Sequence, residues 1–540
     1  MARFWRFPLA GTRFALAALV VTPGMTQAEE QMSDRLSPTN MKSIGTVSER
    51  YQSYNVEMLE VTGGRFWKPY KESSDSAQQT STDTQKQATG GDTPAGMSPD
   101  LYEYRPPLDL ANARLRAMAR ALAPAYMRVS GTWANTTYFA DTDNPPEDPP
   151  QGYGGILTRD QWLAAIDFSN EVDGPIVTSM PIGMGTRDED GVWQPDQART
   201  WLAFTKANGG TIAAAEFINE PTLAGMGGAP ENYSPDDYGR DHRIFEAFMR
   251  KEYPDTKLLA PGSVGEADTE WSVASGGYGE MKVLAADELA AYTANADAFS
   301  YHHYGAVSQR CVAMGHQTSV DEALSENWLG RTDKTLDFYR RVRDQAMPGK
   351  PFWNTETADA ACGGNPWGGT FLDTFRYLDQ LGRLARQEVD VVFHNTLVAS
   401  DYGLLDENTF EPKPNFWGAL LWRQLMGTKV LDTGFDNRAG MHVYAHCLRE
   451  VPGGVAILVL NTDREEGSSL TLPVEVTRYT LASEELTSKV VALNGSVLQL
   501  GVHDQIPEFK DQTVEAGALT FAPASITFLA IPSADNSACQ

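Results

Sequence analysis

The sequence predicts an α/β fold: a (β/α)8 TIM barrel followed by a C-terminal β-sandwich. Two observations predict the barrel: eight short apolar segments have the character of strands, and helical segments alternate with them. A third predicts the sandwich, because after about residue 429 the chain changes to short alternating segments separated by turns such as Pro452-Gly453-Gly454. An open doubly wound sheet is the alternative to the barrel, but no glycine-rich phosphate-binding motif follows the first strand.

The barrel strands are predicted from apolar runs that stop at turn-forming residues. Ala213–Asn219 is followed by Glu220 and Pro221, and because proline cannot donate to a sheet, the strand should end there. The predicted strands are Tyr51–Val61, Tyr126–Ser130, Pro175–Pro181, Ala213–Asn219, Lys257–Pro261, Ala298–Tyr304, Pro351–Glu356 and Val389–Leu397. The predicted helices are Leu108–Leu122, Asp160–Asn170, Pro195–Asn208, Asp241–Lys251, Leu284–Ala294, Thr332–Ala346 and Thr370–Gln387.

The second domain is predicted from alternation of apolar and polar residues. Its expected strands are Met441–Cys447, Gly454–Leu460, Ser468–Leu472, Arg478–Leu481, Lys489–Leu493, Ser496–Leu500 and Ser525–Ile531. We therefore divide the chain into a signal at 1–28, a segment at 29–50 that can join the sandwich, a barrel at 51–425 and a sandwich at 426–540. Residues 71–99 are polar, lack apolar periodicity and form a low-complexity insertion in the barrel.

The N-terminus has the pattern of a secretory signal. Three arginines precede or flank an apolar core at Phe14–Val21, and Thr26-Gln27-Ala28 resembles a cleavage site. A retained N-terminal anchor is the alternative, although the core is short for a membrane span. We expect a secreted or periplasmic protein with no other contact with a membrane.

The net charge and the cysteines indicate which partners, disulfides and metal sites to expect. The formal net charge of −27 repels polyanions and argues against a nucleic-acid partner, although it also simply favours solubility. The four cysteines can form two disulfides in an exported protein. Because none of them has metal-ligand spacing, we expect neither a metal site nor a cofactor.

Two carboxylates carry the predicted chemistry. Glu220 follows the fourth predicted strand and Glu356 ends the seventh, and parallel α/β folds place their chemistry at the carboxyl ends of strands. A retaining glycosidase needs an acid that protonates the leaving oxygen and an ionised carboxylate about 5–5.5 Å away that attacks the anomeric carbon. Glu220 suits the acid/base, and Glu356, with its polar neighbours, suits the nucleophile. Alone, each would be interpreted as a loop cap or an ion-paired carboxylate.

A set of motifs resembles the heparanase and β-glucuronidase family of retaining glycoside hydrolases (glycoside hydrolase family 79, clan A). The pair Asn219-Glu220 and the run from Glu356-Thr357 to Gly363-Gly364-Asn365-Pro366 are similar to its acid/base strand end and its nucleophile loop. Other matching motifs are Tyr301-His302-His303-Tyr304, Leu405-Asp406-Glu407-Asn408, Leu425–Leu431 and Leu493-Asn494-Gly495. The resemblance runs from about Tyr51 to the C-terminus and skips the insertion.

The resemblance implies roles for further residues. Tyr304 would hydrogen-bond the nucleophile, the N–H groups of Gly363 and Gly364 would bind a C5 carboxylate, and Cys447 and Cys539 would form the sandwich disulfide. Cys311 and Cys362 follow neighbouring strands six and seven, so a second bridge is expected at the mouth of the site. The other residues expected to contact substrate are Glu57, Thr132, Asn219, His302, Phe416 and Trp417.

One position departs from the family pattern. Where the family has a carboxylate-binding tyrosine before Trp417, this chain has Phe416, so a modified uronate or a neutral sugar stays open. The overall hypothesis is a retaining β-glucuronidase acting on an oligosaccharide or glycoside that carries a uronic acid. The alternatives are a same-clan enzyme for a neutral or modified sugar, an endo-acting heparanase-like or hyaluronan-type hydrolase, and a non-catalytic carbohydrate-binding protein.

Overall fold

The computed structural model describes residues 35–70, 97–268 and 282–540. The predicted signal at 1–28 and nearly all of the predicted insertion at 71–99 lie outside these residues. Among the helices that the structure describes, none has the length and apolar character needed to cross a bilayer.

Eight parallel strands close into a barrel, which confirms the predicted fold class. The strands are Gln52–Glu57, Met127–Ser130, Ile176–Ser179, Ile212–Glu216, Lys257–Val264, Ala298–His303, Phe352–Thr357 and Val389–His394. Each lies within or beside its predicted segment. The first strand is shorter than predicted because Glu57 caps a helix, its N–H donating to the Glu60 carboxylate at 2.7 Å.

Helices surround the barrel and follow the predicted alternation. In the described parts of the chain, the α-helices are Met58–Thr62, Ala113–Ala121, Arg159–Glu171, Asp196–Ala207, Pro235–Glu252, Ala286–Ala290, Glu326–Leu329, Arg331–Ala346, Phe371–Arg386 and Pro414–Leu425. Short 3-10 turns lie at Pro38–Asn40, Pro99–Leu101, Thr132–Thr136, Met184–Thr186, Pro221–Leu223, Gln309–Met314, Val502–Asp504 and Ser537–Cys539. Two small strand pairs sit among the loops, Gly64–Trp67 with Tyr102–Arg105 and Thr137–Ala140 with Gly155–Thr158.

The barrel interior is apolar at one end and polar at the other. Val177, Ala214, Leu259, Ala298, Trp353, Val391 and Phe393 form one buried cluster drawn from six strands. Because strands from opposite sides of the barrel contribute, this cluster fills the interior. The polar side chains that form the candidate site come from residues farther along the same strands, toward their carboxyl ends.

A second, antiparallel sheet follows the barrel in the chain. Its strands run in the order Ser43–Thr46, Met426–Leu431, Met441–Leu448, Val455–Asn461, Ser525–Ile531, Val476–Ala482, Ala492–Leu493 and Ser496–Val497, and Gln512–Val514 pairs with Val476–Ala482. A smaller sheet of Ser468–Leu472 and Gly517–Phe521 packs against it through Leu470, Leu472, Leu519 and Phe521. The N-terminal strand Ser43–Thr46 reaches this sheet by pairing with Met426–Leu431.

Both predicted disulfides form. Cys447 and Cys539 join a sheet strand to the C-terminal turn. Cys311 and Cys362 join the loops that follow barrel strands six and seven, so the second bridge ties two walls of the candidate site together.

A buried ion cluster joins the barrel to the antiparallel sheet. Asp379, on helix Phe371–Arg386, lies 2.6 Å from His442 Nδ1, and it accepts at 2.6 Å from Arg383 Nε. His442 Nε2 lies 2.9 Å from the carboxylate of Glu326. Burial alone would lower the pKa of His442, but Asp379 and Glu326 together raise it to about 9. The imidazolium therefore holds together two parts of the chain that meet at this interface.

We predict that His442 makes stability fall as the pH rises. Because its pKa is higher in the folded chain than the ordinary value, its contribution is fully present below about pH 6.5 and is lost as the pH passes about 9. The difference in pKa corresponds to roughly 3 kcal/mol. Urea unfolding at pH 6, 7.5 and 9.5 should show this decline in the wild type and a flatter profile in His442→Gln. His503→Gln, at an exposed histidine, is the control, and equal profiles for wild type and His442→Gln would contradict the assignment.

Candidate active site

Glu220 stands in a tight turn just beyond the fourth barrel strand, Ile212–Glu216. Its backbone is left-handed, with φ of 53° and ψ of 61°, and Pro221 begins a 3-10 turn directly after it. The side chain of Asn135 fixes this turn: it donates to the carbonyl of Asn219 and accepts from the N–H of Asn219, both at 3.0 Å. The turn thus holds the Glu220 carboxyl at the polar end of the barrel.

Glu356 lies on the seventh strand and is 6% exposed. The hydroxyl of Tyr304 donates to its Oε1 at 2.5 Å, the contact that the family resemblance implied. Arg128 Nη1 donates to its Oε2 at 2.9 Å. Each oxygen of the Glu356 carboxylate therefore has a hydrogen-bond donor that fixes its orientation.

The two glutamates face each other across a short gap. His302 Nδ1 lies 3.0 Å from Glu220 Oε1 and 3.6 Å from Glu356 Oε2. One oxygen from each carboxylate and a nitrogen of this imidazole all lie within 4.8 Å of one another. Carboxyl groups are about 5–5.5 Å apart in retaining glycosidases and about 6.5–9.5 Å apart in inverting ones, so a pair of oxygens within 4.8 Å favours the retaining arrangement.

Arg128 binds the groups beneath this gap. Its Nη2 donates to Glu216 Oε2 and to Asn219 Oδ1, each at 2.8 Å, and lies 3.2 Å from His302 Nε2. With the contact to Glu356, one guanidinium 1% exposed holds two carboxylates, an amide and an imidazole. Arginine suits this position because its rigid, always charged fork presents five donors.

The pKa values of Glu216 and Glu220, two carboxyl groups of this cluster, shift in opposite directions. Burial would raise the pKa of Glu216, but the charge and hydrogen bonds of Arg128 leave that pKa below its ordinary value. Burial also raises the pKa of Glu220, here to about 7, because Arg128 offsets the effect only in part and the charge of Glu216 adds to it. Glu220 is therefore largely protonated in mildly acidic solution, as a general acid must be.

His302 lies beneath the cavity and is fully buried, so the expectation that it contacts sugar directly is corrected. Burial lowers the pKa of His302 to about 4, so the ring is neutral. Because arginine can only donate, Nε2 accepts from Arg128 and the proton resides on Nδ1. Nδ1 then donates to Glu220 Oε1. Although the spacing of these groups would suit a metal ion, a protonated Nδ1 has no lone pair for it.

Glu57 and Thr132 line the cavity, as the resemblance implied. Burial, and then the charge of Glu356, raise the pKa of Glu57 well above its ordinary value. The neighbouring Gly131 has φ of 97°, and a Cβ there would overlap the Glu57 carboxylate. Glycine is thus required for this acid to reach the cavity.

The predicted carboxylate-binding loop stands at the edge of the cavity. Cys362 lines the wall, and the next two residues in the chain, Gly363 and Gly364, have φ of 78° and 82° and are not among the lining residues. A Cβ on Gly363 would come within 2.6 Å of both Trp67 and Ser400. Asn219, also predicted to contact sugar, is 2% exposed with its Oδ1 held by Arg128, which leaves its Nδ2 as a donor that no described residue uses.

Phe416 and Trp417 do not reach the cavity, and the expectation that they contact substrate is wrong. Both belong to helix Pro414–Leu425 and are buried in the apolar core, 0% and 2% exposed. Pro414 starts this helix at its first turn, so the residues after it pack against neighbouring helices instead of forming a loop. The departure at Phe416 therefore carries no information about the sugar.

Tyr402 is the tyrosine that sequence reasoning missed. It lines the cavity, and its hydroxyl accepts from Asn395 Nδ2 at 3.0 Å. The same amide lies 2.9 Å from the Tyr304 hydroxyl and 3.3 Å from Glu57 Oε1. A signal was present in the sequence, since Tyr402 follows the eighth strand within Ser400-Asp401-Tyr402-Gly403, at the edge where the other site residues gather.

Arg128 was missed as well, although its position was informative. It stands between Met127 and Val129 in a strand otherwise read as buried. A charged side chain in such a strand is buried only when it is paired, so it indicated acidic partners inside the barrel.

Comparison with known proteins finds relatives in sequence, although no protein-family model matches the chain. Heparanase-like protein 1 of Arabidopsis thaliana is 28% identical over 494 residues, covering 80% of this chain and 86% of the relative. Baicalin-beta-D-glucuronidase of Scutellaria baicalensis is 28% identical over 485 residues, covering 80% and 85%. Hyaluronoglucuronidase of Hirudo nipponia is 24% identical over 483 residues, covering 80% and 92%.

Solved structures share the architecture. A 4-O-alpha-L-rhamnosyl-beta-D-glucuronidase from Fusarium oxysporum aligns with a TM-score of 0.60 at 12% identity, covering 92% of this chain and 99% of its own. An alpha-L-arabinofuranosidase from Thermotoga petrophila aligns with a TM-score of 0.59 at 12% identity, covering 92% and 99%. These structural similarities show the fold alone. The functional class follows from the sequence relatives. The chain is thus a glycoside hydrolase related to the heparanases and β-glucuronidases, and the resemblance predicted from its sequence is confirmed.

Proposed function

We propose that this chain is a retaining β-glucuronidase in which Glu220 is the acid/base and Glu356 the nucleophile. The observation that carries the proposal is the pair of carboxyl oxygens within 4.8 Å of each other in two different environments. Glu356 receives donors from Tyr304 and Arg128, whereas burial raises the pKa of Glu220 to about 7. Acid-assisted glycosyl transfer requires a protonated carboxyl group beside a second carboxyl group that is held in place, and Glu220 and Glu356 meet these two needs.

The chemistry follows in two steps. In the first, Glu356 attacks the anomeric carbon while Glu220 transfers its proton to the glycosidic oxygen, so the aglycone leaves as an alcohol and a glycosyl–Glu356 ester forms. In the second, ionised Glu220 takes a proton from water, the hydroxide attacks the anomeric carbon, and Glu356 is released. The Nδ1–H of His302 occupies Oε1 of Glu220 at 3.0 Å, which leaves Oε2 to carry the transferred proton.

Recognition of a uronate fits the neutral donors of the cavity. Tyr402 and Cys362 line the cavity, and Gly364 packs close to the ring of Tyr402. No hydrogen bond of the described residues uses the N–H groups of Gly363 and Gly364. Protonation of Glu57 and Glu220, whose pKa values are raised, also reduces repulsion of an anionic sugar in mildly acidic solution. A neutral sugar is the alternative, favoured by the lack of a lysine or arginine among the described lining residues.

We predict a kinetic division between the two glutamates. Glu220→Ala should reduce kcat/KM for an aryl glucuronide with a poor leaving group by about 10²–10⁴-fold, because proton transfer is lost, but should affect 2,4-dinitrophenyl glucuronide far less. Glu356→Gln should abolish turnover of both. In the wild type, kcat/KM for the poor leaving group should decline above about pH 7, the pKa of Glu220, and this decline should disappear in Glu220→Ala. Glu465→Gln, at an exposed position, is the control, and equal losses on both substrates in Glu220→Ala would contradict the acid role.

We also predict that Tyr402 distinguishes uronates from neutral sugars. Tyr402→Phe should lower kcat/KM for 4-nitrophenyl β-glucuronide by about 10- to 100-fold, the cost of a lost hydrogen bond to a charged group. The same variant should change kcat/KM for the β-glucoside much less. Tyr104→Phe, 68% exposed, is the matched control. A parallel decline for both sugars would mean that Tyr402 only supports the catalytic glutamates.

A further inference from the structure

The position of Glu220 identifies the leaving-group side of the cavity. Given the proposed function, on which this inference rests, the group bonded to the glycosidic oxygen lies beside the acid and on the side away from Glu356. The residues that follow Glu220 in its own loop therefore flank the leaving group. Leu223 and Met226, three and six positions later, both line the cavity.

These side chains form an apolar surface. Leu223 and Val264, each 3% exposed, form a small buried cluster against which Met226, Val283 and Tyr304 pack. Val264 ends the fifth barrel strand and lines the cavity next to the Glu220 loop. Aliphatic and thioether side chains gain free energy by covering an apolar ring and offer no donor to a polar one. The flexible thioether of methionine can adapt to ligands of different shapes.

The described lining of the cavity offers no cation to an anionic leaving group. This described lining contains three carboxyl groups, Glu57, Glu220 and Glu356, and no lysine or arginine. Two guanidiniums that act on residues of the site are already paired, Arg128 with Glu216 and Glu356, and Arg310 with Asp401. Recognition of sulfate or a second carboxylate normally uses a free guanidinium or ammonium group.

We propose that Leu223, Met226 and Val264 form a leaving-group subsite for an uncharged, apolar aglycone, such as an aromatic ring system, and that the subsite rejects sulfated sugars. The substrate class is thus a β-glucuronide conjugate of a small apolar alcohol or phenol. Selectivity arises because the apolar ring is buried against these side chains, whereas an anion there would be desolvated without a cation.

The test compares two aryl β-glucuronides whose phenols have the same pKa, one with an apolar fused ring and one with a sulfonate on the ring. We expect kcat/KM to be at least about 10-fold higher for the apolar substrate, the size of effect that hydrophobic pockets produce. β-Glucuronyl fluoride, which has no aglycone, separates the two hypotheses. No turnover of the fluoride would overturn the proposed function, whereas turnover with equal kcat/KM for the two aryl substrates would overturn the subsite alone.

A second test of the subsite substitutes one of its residues. Met226→Lys is preferred to Leu223→Lys because Met226 is only partly buried, so a lysine can extend toward the cavity without disrupting the core. We expect it to lower kcat/KM for the apolar substrate and raise it for the sulfonated one, so that the ratio of the two values falls. Met184→Lys, at a methionine 56% exposed elsewhere on the barrel, is the control and should change neither ratio. An unchanged ratio in Met226→Lys would also overturn the subsite.

Discussion

The buried guanidinium of Arg128 sets the charge balance at the centre of the barrel. It contacts Glu216 and Glu356 as ion partners and reaches Asn219 and His302 with the same Nη2 group. Buried carboxylates are stable as ions only when they are paired and hydrogen-bonded. Arg128 pairs with Glu216 and Glu356, whereas burial raises the pKa of Glu220, to which Arg128 makes no hydrogen bond. The different roles that we propose for the two glutamates thus follow from the burial of Glu220 and from the contact of Glu356 with Arg128.

The backbone geometry of its turn places Glu220 close to these charged groups. Asn135 clamps the turn at Asn219, and the left-handed conformation at Glu220 directs its side chain to the polar end of the barrel. On the opposite side, the disulfide between Cys311 and Cys362 connects the loops that follow the sixth and seventh strands. The cavity walls are therefore held by loops that are themselves fixed to the barrel, as a site that positions a reacting sugar requires.

The barrel was predictable because its determinants are local. Eight apolar segments that end in turn-forming residues repeat along the chain, and each became a strand. The predicted boundaries were wrong where tertiary contacts determine where an element ends. The first strand ends at Glu57 because the carboxylate of Glu60 caps a helix, and such a reciprocal contact is hard to distinguish from a continuing apolar run.

The contrast between local sequence signals and tertiary contacts also explains which site residues the sequence predicted and which it did not. Glu220 and Glu356 follow from strand ends and motifs, whereas the sugar-facing tyrosine was sought at Phe416, in a helix that packs into the core. Tyr402 enters the cavity only because the loop after the eighth strand folds back over Asn395. The neutral state of His302 likewise depends on partners from other strands, which spacing along the chain does not reveal.

The stereochemistry of the first product tests the central claim most directly. Two carboxyl groups this close, acting as acid and nucleophile on one anomeric carbon, require two displacements and hence retention of configuration. Proton NMR during the first minutes of hydrolysis of an aryl β-glucuronide should show β-glucuronic acid first, followed by slow mutarotation to the mixture of anomers. Initial appearance of the α-anomer would mean a single displacement by water and would contradict the role proposed for Glu356.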